Sequence, residues 1–503
     1  MKQLIGRRAN VSGGFVTISV MIVILLITYA CYQFVAAALN EHRATAGHAD
    51  RAQLEFCVDS AEQLLLAERG SLELRSDAGL RGDTSLPEQR YANVSVGGDP
   101  TSSRQSRFTV IGRPVGREGA EFLQYGPTNE SARLSIGVLP EWERRRAGTG
   151  LAALAALPGV DAELAADLLA FLQGETNSID GAAVWQGAAL DELLQVPGMS
   201  DLILFGADRN RNGFVSSWET SFNEAGAGAA PDDNRRRESS APLAAYLAPY
   251  SAERNVNRYG QPRIFVNMVD LDRLEQALAD RLPTPWVDFI LAYRRNGPVA
   301  ALTEETPTAA QHPIASLYDL IGATVAMPGA DGELQELSSP FVADQGAYRD
   351  YLLKMADELT VDARVVIPGR ININLAPAAV LRAIPGADQQ LVDRIVAARE
   401  QPGIDLANMR YHAAWLVAGG WIEPAWMREL DPYITTRGDV VRAQIVGFYA
   451  AGKAAAYPSA DFDEQPLVRR EIVVDAARAE PRVVFRHDLS NLGRGYTREA
   501  LTP

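Results

Sequence analysis

Three patterns of apolar residues divide the chain. The first is unbroken: no Asp, Glu, Lys or Arg occurs between Phe15 and Asn40. As a helix, the run Phe15–Leu39 is about 37 Å long, enough to span a hydrocarbon core of roughly 30 Å even when tilted. The second pattern follows directly. Leu54, Val58, Ala61 and Leu65 recur at spacings of four, three and four, which is one face of a helix over 40–69. No proline occurs before Pro87, so one helix of roughly 80 Å is predicted from Phe15 to Arg69, half membrane span and half amphipathic. Gly47 is the point at which it would divide into an anchor and a separate helix.

The third pattern is split between the two ends of the chain. Arg107–Ile111 and Glu121–Tyr125 read as strands within a Gly-, Ser-, Pro- and Asp-rich stretch over 70–132. Tyr433–Thr436, Val440–Tyr449, Val468–Val474 and Arg482–Arg486 are β-branched or aromatic and bounded by turn residues. A long helical section separates the two groups. The predicted class is α+β, with an all-α insert over 133–430 interrupting a small antiparallel sheet. The sheet would be begun by 40–132, together with the rest of the helix, and completed by 431–503.

The insert repeats itself. Arg133-Leu134-Ser135-Ile136-Gly137, Arg263-Ile264-Phe265-Val266-Asn267 and Arg370-Ile371-Asn372-Ile373-Asn374 share one form, basic, then alternately apolar, then Asn or Gly. A helix pair follows each: Leu151–Leu157 and Leu164–Leu172; Leu271–Leu282 and Trp286–Arg294; Ala378–Ile384 and Leu391–Arg399. Their starting points are too unequally spaced for a solenoid. The first copy departs from the others at Gly137 and in a long loop expected through Arg146.

Pro158-Gly159, Pro385-Gly386 and Pro197-Gly198 mark turns of helix-hairpin-helix type, and Ile371–Arg399 resembles the DNA-binding module of competence proteins. That module opens its turn with a second glycine, so that backbone N–H groups reach a phosphate. Here Ala387-Asp388 and Val160-Asp161 follow the glycines, and acidic side chains stand where the phosphate would lie. A packed hairpin serving folding or protein contacts fits these residues better.

Charge and composition point the same way. The 503-residue chain carries a net charge of −15, which argues against a nucleic-acid partner. Its apolar fraction of 47% is ample for ordinary cores, and its length suggests two to four domains. Cys31 and Cys57, the only cysteines, would lie about 39 Å apart on one helix and cannot pair within a chain. Lys2, Arg7 and Arg8 precede the apolar run, so its N-terminal side is expected in the cytoplasm and the bulk of the chain across the membrane.

The sharpest chemical motif runs from Asp208 to Glu219. It fits the twelve-residue EF-hand calcium loop at every ligand position. Asp208, Asn210 and Asn212 would supply side-chain oxygens, Phe214 its carbonyl, Ser216 a direct or water-mediated contact, and Glu219 both carboxylate oxygens. Gly213 would allow the sharp turn. With two charged ligands, affinity for Ca2+ is expected on the order of 10⁻⁴–10⁻³ M. The alternative is a polar Asn-Gly turn that only looks like the loop. Asp232, Asp233 and Asn234 are further oxygen donors without informative spacing.

Enzyme motifs are missing. His42, His48, His312, His412 and His487 are scattered, and no HExxH, GxxxxGK[ST] or GxSxG occurs. Gly148-x-Gly150 follows Glu143-Arg144-Arg145-Arg146 where a nucleotide loop would need a buried strand, so it reads as a charged cap or loop. Arg235-Arg236-Arg237 reads as a solvated run, and Trp415, Trp421 and Trp426 as core.

Three readings of the N-terminus stand: an uncleaved anchor supporting a scaffold, a secretory signal cut at Ala36-Ala37-Ala38, and a third set by the boundary itself. The apolar run is far longer than a usual signal h-region of about 7–15 residues. A basic leader, 1–14, ends in Ser12-Gly13-Gly14, and Phe15 opens the membrane segment 15–39. This resembles the leader of type IV prepilins and type II secretion pseudopilins. With the long helix, the divided β domain, the helical insert and the calcium loop, the whole chain resembles the K-type minor pseudopilins, the general secretion pathway protein K family. Leu202–Gly297 and Arg482–Tyr496 look especially similar to its longer members. Most pilins carry Glu at the fifth residue after the cut; here it is Ser19, and K-type members lack that glutamate.

The resemblance implies a non-enzymatic subunit at the pseudopilus tip, working with minor pseudopilins I and J. It implies cleavage by prepilin peptidase between Gly14 and Phe15 with N-methylation of the new terminus. It also implies a single-pass inner-membrane location with the bulk of the chain in the periplasm. An envelope-anchored DNA-binding protein and an uncleaved scaffold remain the alternative classes.

Overall fold

The computed structural model describes residues 12–70, 90–97, 104–112, 123–174, 176–179, 182–185, 189–213, 215, 219, 242–299, 311–328, 334–400, 409–451 and 465–503. The leader up to residue 11, Arg235–Arg237 and Asp232–Asn234 lie outside them.

The helix is continuous from Ser12 to Gly70, and Gly47 does not interrupt it. It is long and apolar enough to cross a membrane, and its apolar part is bare of contacts with the rest of the chain. Cys31 is exposed on it and Cys57 buried, both as free thiols. From Leu54 onward the amphipathic face meets the sheet. Leu54, Val58, Ala61 and Leu65 pack on Phe108, Val110, Ala443, Ile445 and Ile472. The approach is close enough that a Cβ on Gly447 would stand 2.9 Å from the Leu54 carbonyl oxygen.

The sheet is antiparallel and joins the two ends of the chain. Arg104–Gly112 pairs with Val440–Ala451, from Gln444 opposite Ile111 to Ala451 opposite Arg104. Val468–Asp475 and Arg482–Asp488 extend it on one side, and Val94–Ser95 on the other. Gln124–Tyr125 and Thr128–Asn129 add short pairings to Arg104–Gly112 and Val440–Ala451. The insert therefore leaves and re-enters the sheet beside its central strand. Alternation along Val440–Ala451 sends Ala443 and Ile445 toward the helix, and Val446 and Phe448 to the opposite face.

The insert is not all-α: short two-stranded pairings run among its helices, because the stretches flanking each helix pair are β-branched and apolar, and each repeat closes on itself. Leu134–Ser135 pairs in parallel with Leu247–Ala248, Ile264–Phe265 with Leu359–Thr360, and Ile371–Asn372 with Ile434–Thr435. Parallel partners need a long crossover, which the helix pairs supply. By composition Ile434–Thr435 groups with the terminal sheet. It belongs instead to the third repeat, because its neighbour is Ile371–Asn372. The leading arginines of the first two repeats reach equivalent places: Arg133 Nε donates to the Ala245 carbonyl and Arg263 Nε to that of Asp357, both at 3.2 Å. Arg370 turns to Glu253 at 3.3 Å. Asn267 and Asn374 bind the segment after each helix pair, at Ile314 and at Arg410 and Trp415.

The helix pairs are Thr149–Ala155 and Ala162–Gly174, Leu271–Ala279 and Thr284–Asn296, and Ala378–Arg382 and Gln389–Glu400. The loop expected through Arg146 is a helix, Leu139–Arg145, because Leu139 and Trp142 bury one face. One core runs through the insert from Leu134 to Ile434, with Trp415 fully buried and Trp421 and Trp426 against it.

Candidate functional site

The acidic loop follows a short helix, Asp201–Leu204, capped by Ser200 Oγ on the Ile203 N–H at 3.3 Å. Beyond it the chain turns inward. Asp208 Oδ1 accepts from the Asn212 N–H at 3.0 Å and Oδ2 from the Gly213 N–H at 2.8 Å. Asn210 Oδ1 also accepts from the Asn212 N–H, at 2.9 Å. Glu219 returns to the same turn and accepts from the Asn210 N–H at 3.2 Å. Gly213 has a φ of +88°, the left-handed geometry that this position needs for the sharp turn.

The structure thus brings Asp208, Asn210, Asn212 and Glu219 together, at 3%, 7%, 5% and 0% exposure. Phe214 and Ser216 lie outside the described residues. Burying four polar side chains in one turn is unfavourable unless each is satisfied. The donors are all oxygen, the chemistry of a hard cation such as Ca2+. Two are carboxylates and two are amides, and among the described residues no three His, Cys, Asp or Glu side chains gather as a metal cluster.

The loop's surroundings come from far along the chain and carry no sequence signal. Gln444 Nε2 donates to the Arg211 carbonyl at 2.6 Å, and Asn212 Nδ2 donates to the Gly495 carbonyl. The Tyr496 hydroxyl lies 2.7 Å from Gln444 Oε1 and 3.3 Å from the Asn212 carbonyl. Arg211 pairs with Asp191 at 2.7 Å and lies over the Phe205 ring.

Each Pro-Gly turn at 158–159 and 385–386 is followed by an acid where a phosphate would bind. At those helix N-termini the acids also cap the helices. Asp161 Oδ1 accepts from the Leu164 N–H at 2.9 Å, and Asp388 Oδ1 from the Leu391 N–H at 2.7 Å. Each is an N-cap, filling its helix terminus with negative charge. Near Gly148, Glu143 takes the corresponding place, accepting from the N–H groups of Gly148 and Gly150 at 2.6 and 2.9 Å. At the chain's other end, Gly14 and Phe15 lie within the first turns of the long helix.

Comparison with known families, characterised proteins and solved structures finds no match to the chain.

Proposed function

We propose that this chain is a non-enzymatic minor pseudopilin of K type, at the tip of a type II secretion pseudopilus. It acts in export across the outer membrane, starting and capping assembly with minor pseudopilins I and J. It is a single-pass inner-membrane protein with its bulk in the periplasm, matured by prepilin peptidase at Gly14–Phe15. The observation that carries the reading is the long helix. Its apolar half is uncovered, its second half lies on an antiparallel sheet, and the sheet is shared between the segments flanking one large insert.

The tip position rests on Ser19 and on the insert. In a fibre of stacked N-terminal helices, a glutamate at the fifth mature residue can neutralise the terminal amine of the subunit above. Ser19 offers no such charge upward, and the insert adds bulk beside the central strand. Ca2+ is a structural ion of the loop in this reading, held by Asp208, Asn210, Asn212, Phe214, Ser216 and Glu219 and bound weakly. When present it would neutralise the buried carboxylates. The helix hairpins are packing units, not DNA clamps, since Asp161 and Asp388 occupy the helix termini.

Reconstitution with the periplasmic parts of I and J tests the assignment. A ternary complex that excludes DNA is expected. Failure to bind I or J, or salt-dependent binding to duplex DNA, would contradict it.

A further inference from the structure

Between the membrane span and the body lies a stretch of helix that the rest of the chain does not support. Glu41 is the first charged residue after the apolar run, and residues 41–49 are all exposed. At 1.5 Å per residue they form about 13 Å of bare helix. The body's grip begins abruptly at the next residue. The Tyr449 hydroxyl donates to the Asp50 carbonyl at 3.3 Å, Arg51 meets Asp488 at 3.3 Å, and Gln53 Nε2 donates to Ser106 Oγ at 3.2 Å. Leu54 follows, fully buried.

Helices in proteins owe most of their stability to the packing of one face, and this stretch has no packed face. Its own composition is weak. Thr45, Gly47 and His48 are poorer helix formers than alanine, and glycine is the poorest of all except proline. Thr45 Oγ1 donates back to the Glu41 carbonyl at 2.8 Å, a bond of the kind that bends helices. Among the described residues no ion pair braces 41–49, whereas Arg51 and Glu55 brace the following turn at 3.0 Å. Gly47 is the only glycine between Phe15 and Arg69. Packing does not require it: a Cβ there would meet nothing within 4 Å, unlike one on Gly447.

We propose that residues 41–49 are a hinge centred on Gly47, at which the folded body changes its direction relative to the membrane span. The helix is continuous at rest and bends by opening the backbone bonds around Gly47, while the seam from Leu54 onward stays closed. The body thereby swings over the membrane surface with its span still in the bilayer. This requires the helix to cross a membrane but not the pilus assignment, so an uncut leader would leave it standing.

The test uses the full chain in lipid nanodiscs, with Cys31→Ser and Cys57→Ala so that spin labels at Ala38→Cys and Gln63→Cys stand alone. Both label sites are exposed, one on each side of the hinge, and an unbent helix holds them about 37 Å apart. Electron double resonance on the labelled parent should show that distance and a second population at shorter ones. G47A should shrink the shorter population about fivefold and slow hydrogen exchange in peptides covering 41–49 by the same factor, with peptides covering 54–65 unchanged. A46G/G47A, which moves the glycine by one residue, should restore the bend, because backbone freedom alone is needed. A single distance in the parent, or a distribution in G47A as broad as the parent's, would overturn the hinge. Loss of protection at 54–65 alongside the shorter population would place the motion in the seam and overturn it as well.

Discussion

The carboxylate of Glu130 holds the guanidinium of Arg442 through two bonds of 3.1 Å, across 312 residues of sequence. Glu130 opens the insert and Arg442 lies on the central strand that follows it, so the pair ties the insert's root to the sheet. Arg133 reaches Glu130 at 2.6 Å, and Glu471 reaches Arg442 at 3.1 Å. Burial alone would lower the pKa of Arg442, but Glu130 and Glu471 hold it above its ordinary value. Such a network is costly to break from one side, because a charge is left buried without its partner. R442M is expected to cost about 3–5 kcal/mol, read from the urea midpoint, and R442M/E471M to recover much of it. A single variant as stable as the parent would contradict the fastening role.

The helix–sheet seam allows a second prediction. Gly447 admits the Leu54 carbonyl, and any side chain there must push the helix away. G447V is expected to cost about 1–3 kcal/mol through overpacking. Cys57 reports it: burial pushes its thiol above the usual value of 9.0. The parent thiol should therefore label slowly with maleimide at neutral pH, and in a C31S background G447V should label faster. A raised thiol pKa contributes stability that is complete below the unfolded value and lost as pH rises toward the folded one. Equal labelling rates in the two proteins would argue against the close seam.

His412 provides the acid-side prediction. Burial, then the charges of Arg263, Arg437 and Arg370, hold its pKa well below 6.5. Its Nδ1 accepts the Ala414 N–H at 3.1 Å, which requires the neutral ring. The unfolded chain takes up this proton first, so the stability His412 contributes is present above pH 6.5 and lost as pH falls through the lowered pKa. The loss is at most about 1.4 kcal/mol per pH unit. H412N, which keeps an acceptor, should flatten the decline in thermal stability between about pH 6.5 and 5. A parent and variant with parallel declines would show that His412 is not the group responsible.

Periodic stretches were legible in the sequence. The spacing of Leu54, Val58, Ala61 and Leu65 marks the helix face that meets the sheet, and the helix pairs of the insert fall where their apolar spacing predicts. The two-residue parallel ladders were not legible, since two residues carry no period and their partners lie one helix pair or more downstream. Ile434–Thr435 shows the consequence: its composition matches the terminal strands, and only its neighbour Ile371–Asn372 reveals its place. At the loop, the spacing of Asp208, Asn210, Asn212 and Glu219 was readable because local turns bring them together. Gln444 and Tyr496 were not, because only the folded sheet carries them there. The acids Asp161 and Asp388 were legible at the turns, but their capping role was not, since a cap and a ligand-facing acid share one sequence position.

The central claim is that Phe15 begins a processed pseudopilin helix, and the mass of the N-terminus tests it most directly. The chain would be purified from membranes of cells with and without prepilin peptidase. The account predicts an N-methylated Phe15 terminus only where the peptidase is present. An intact Met1 in both samples would contradict it and favour an anchored scaffold, and a terminus near Glu41 would mean a secreted soluble protein.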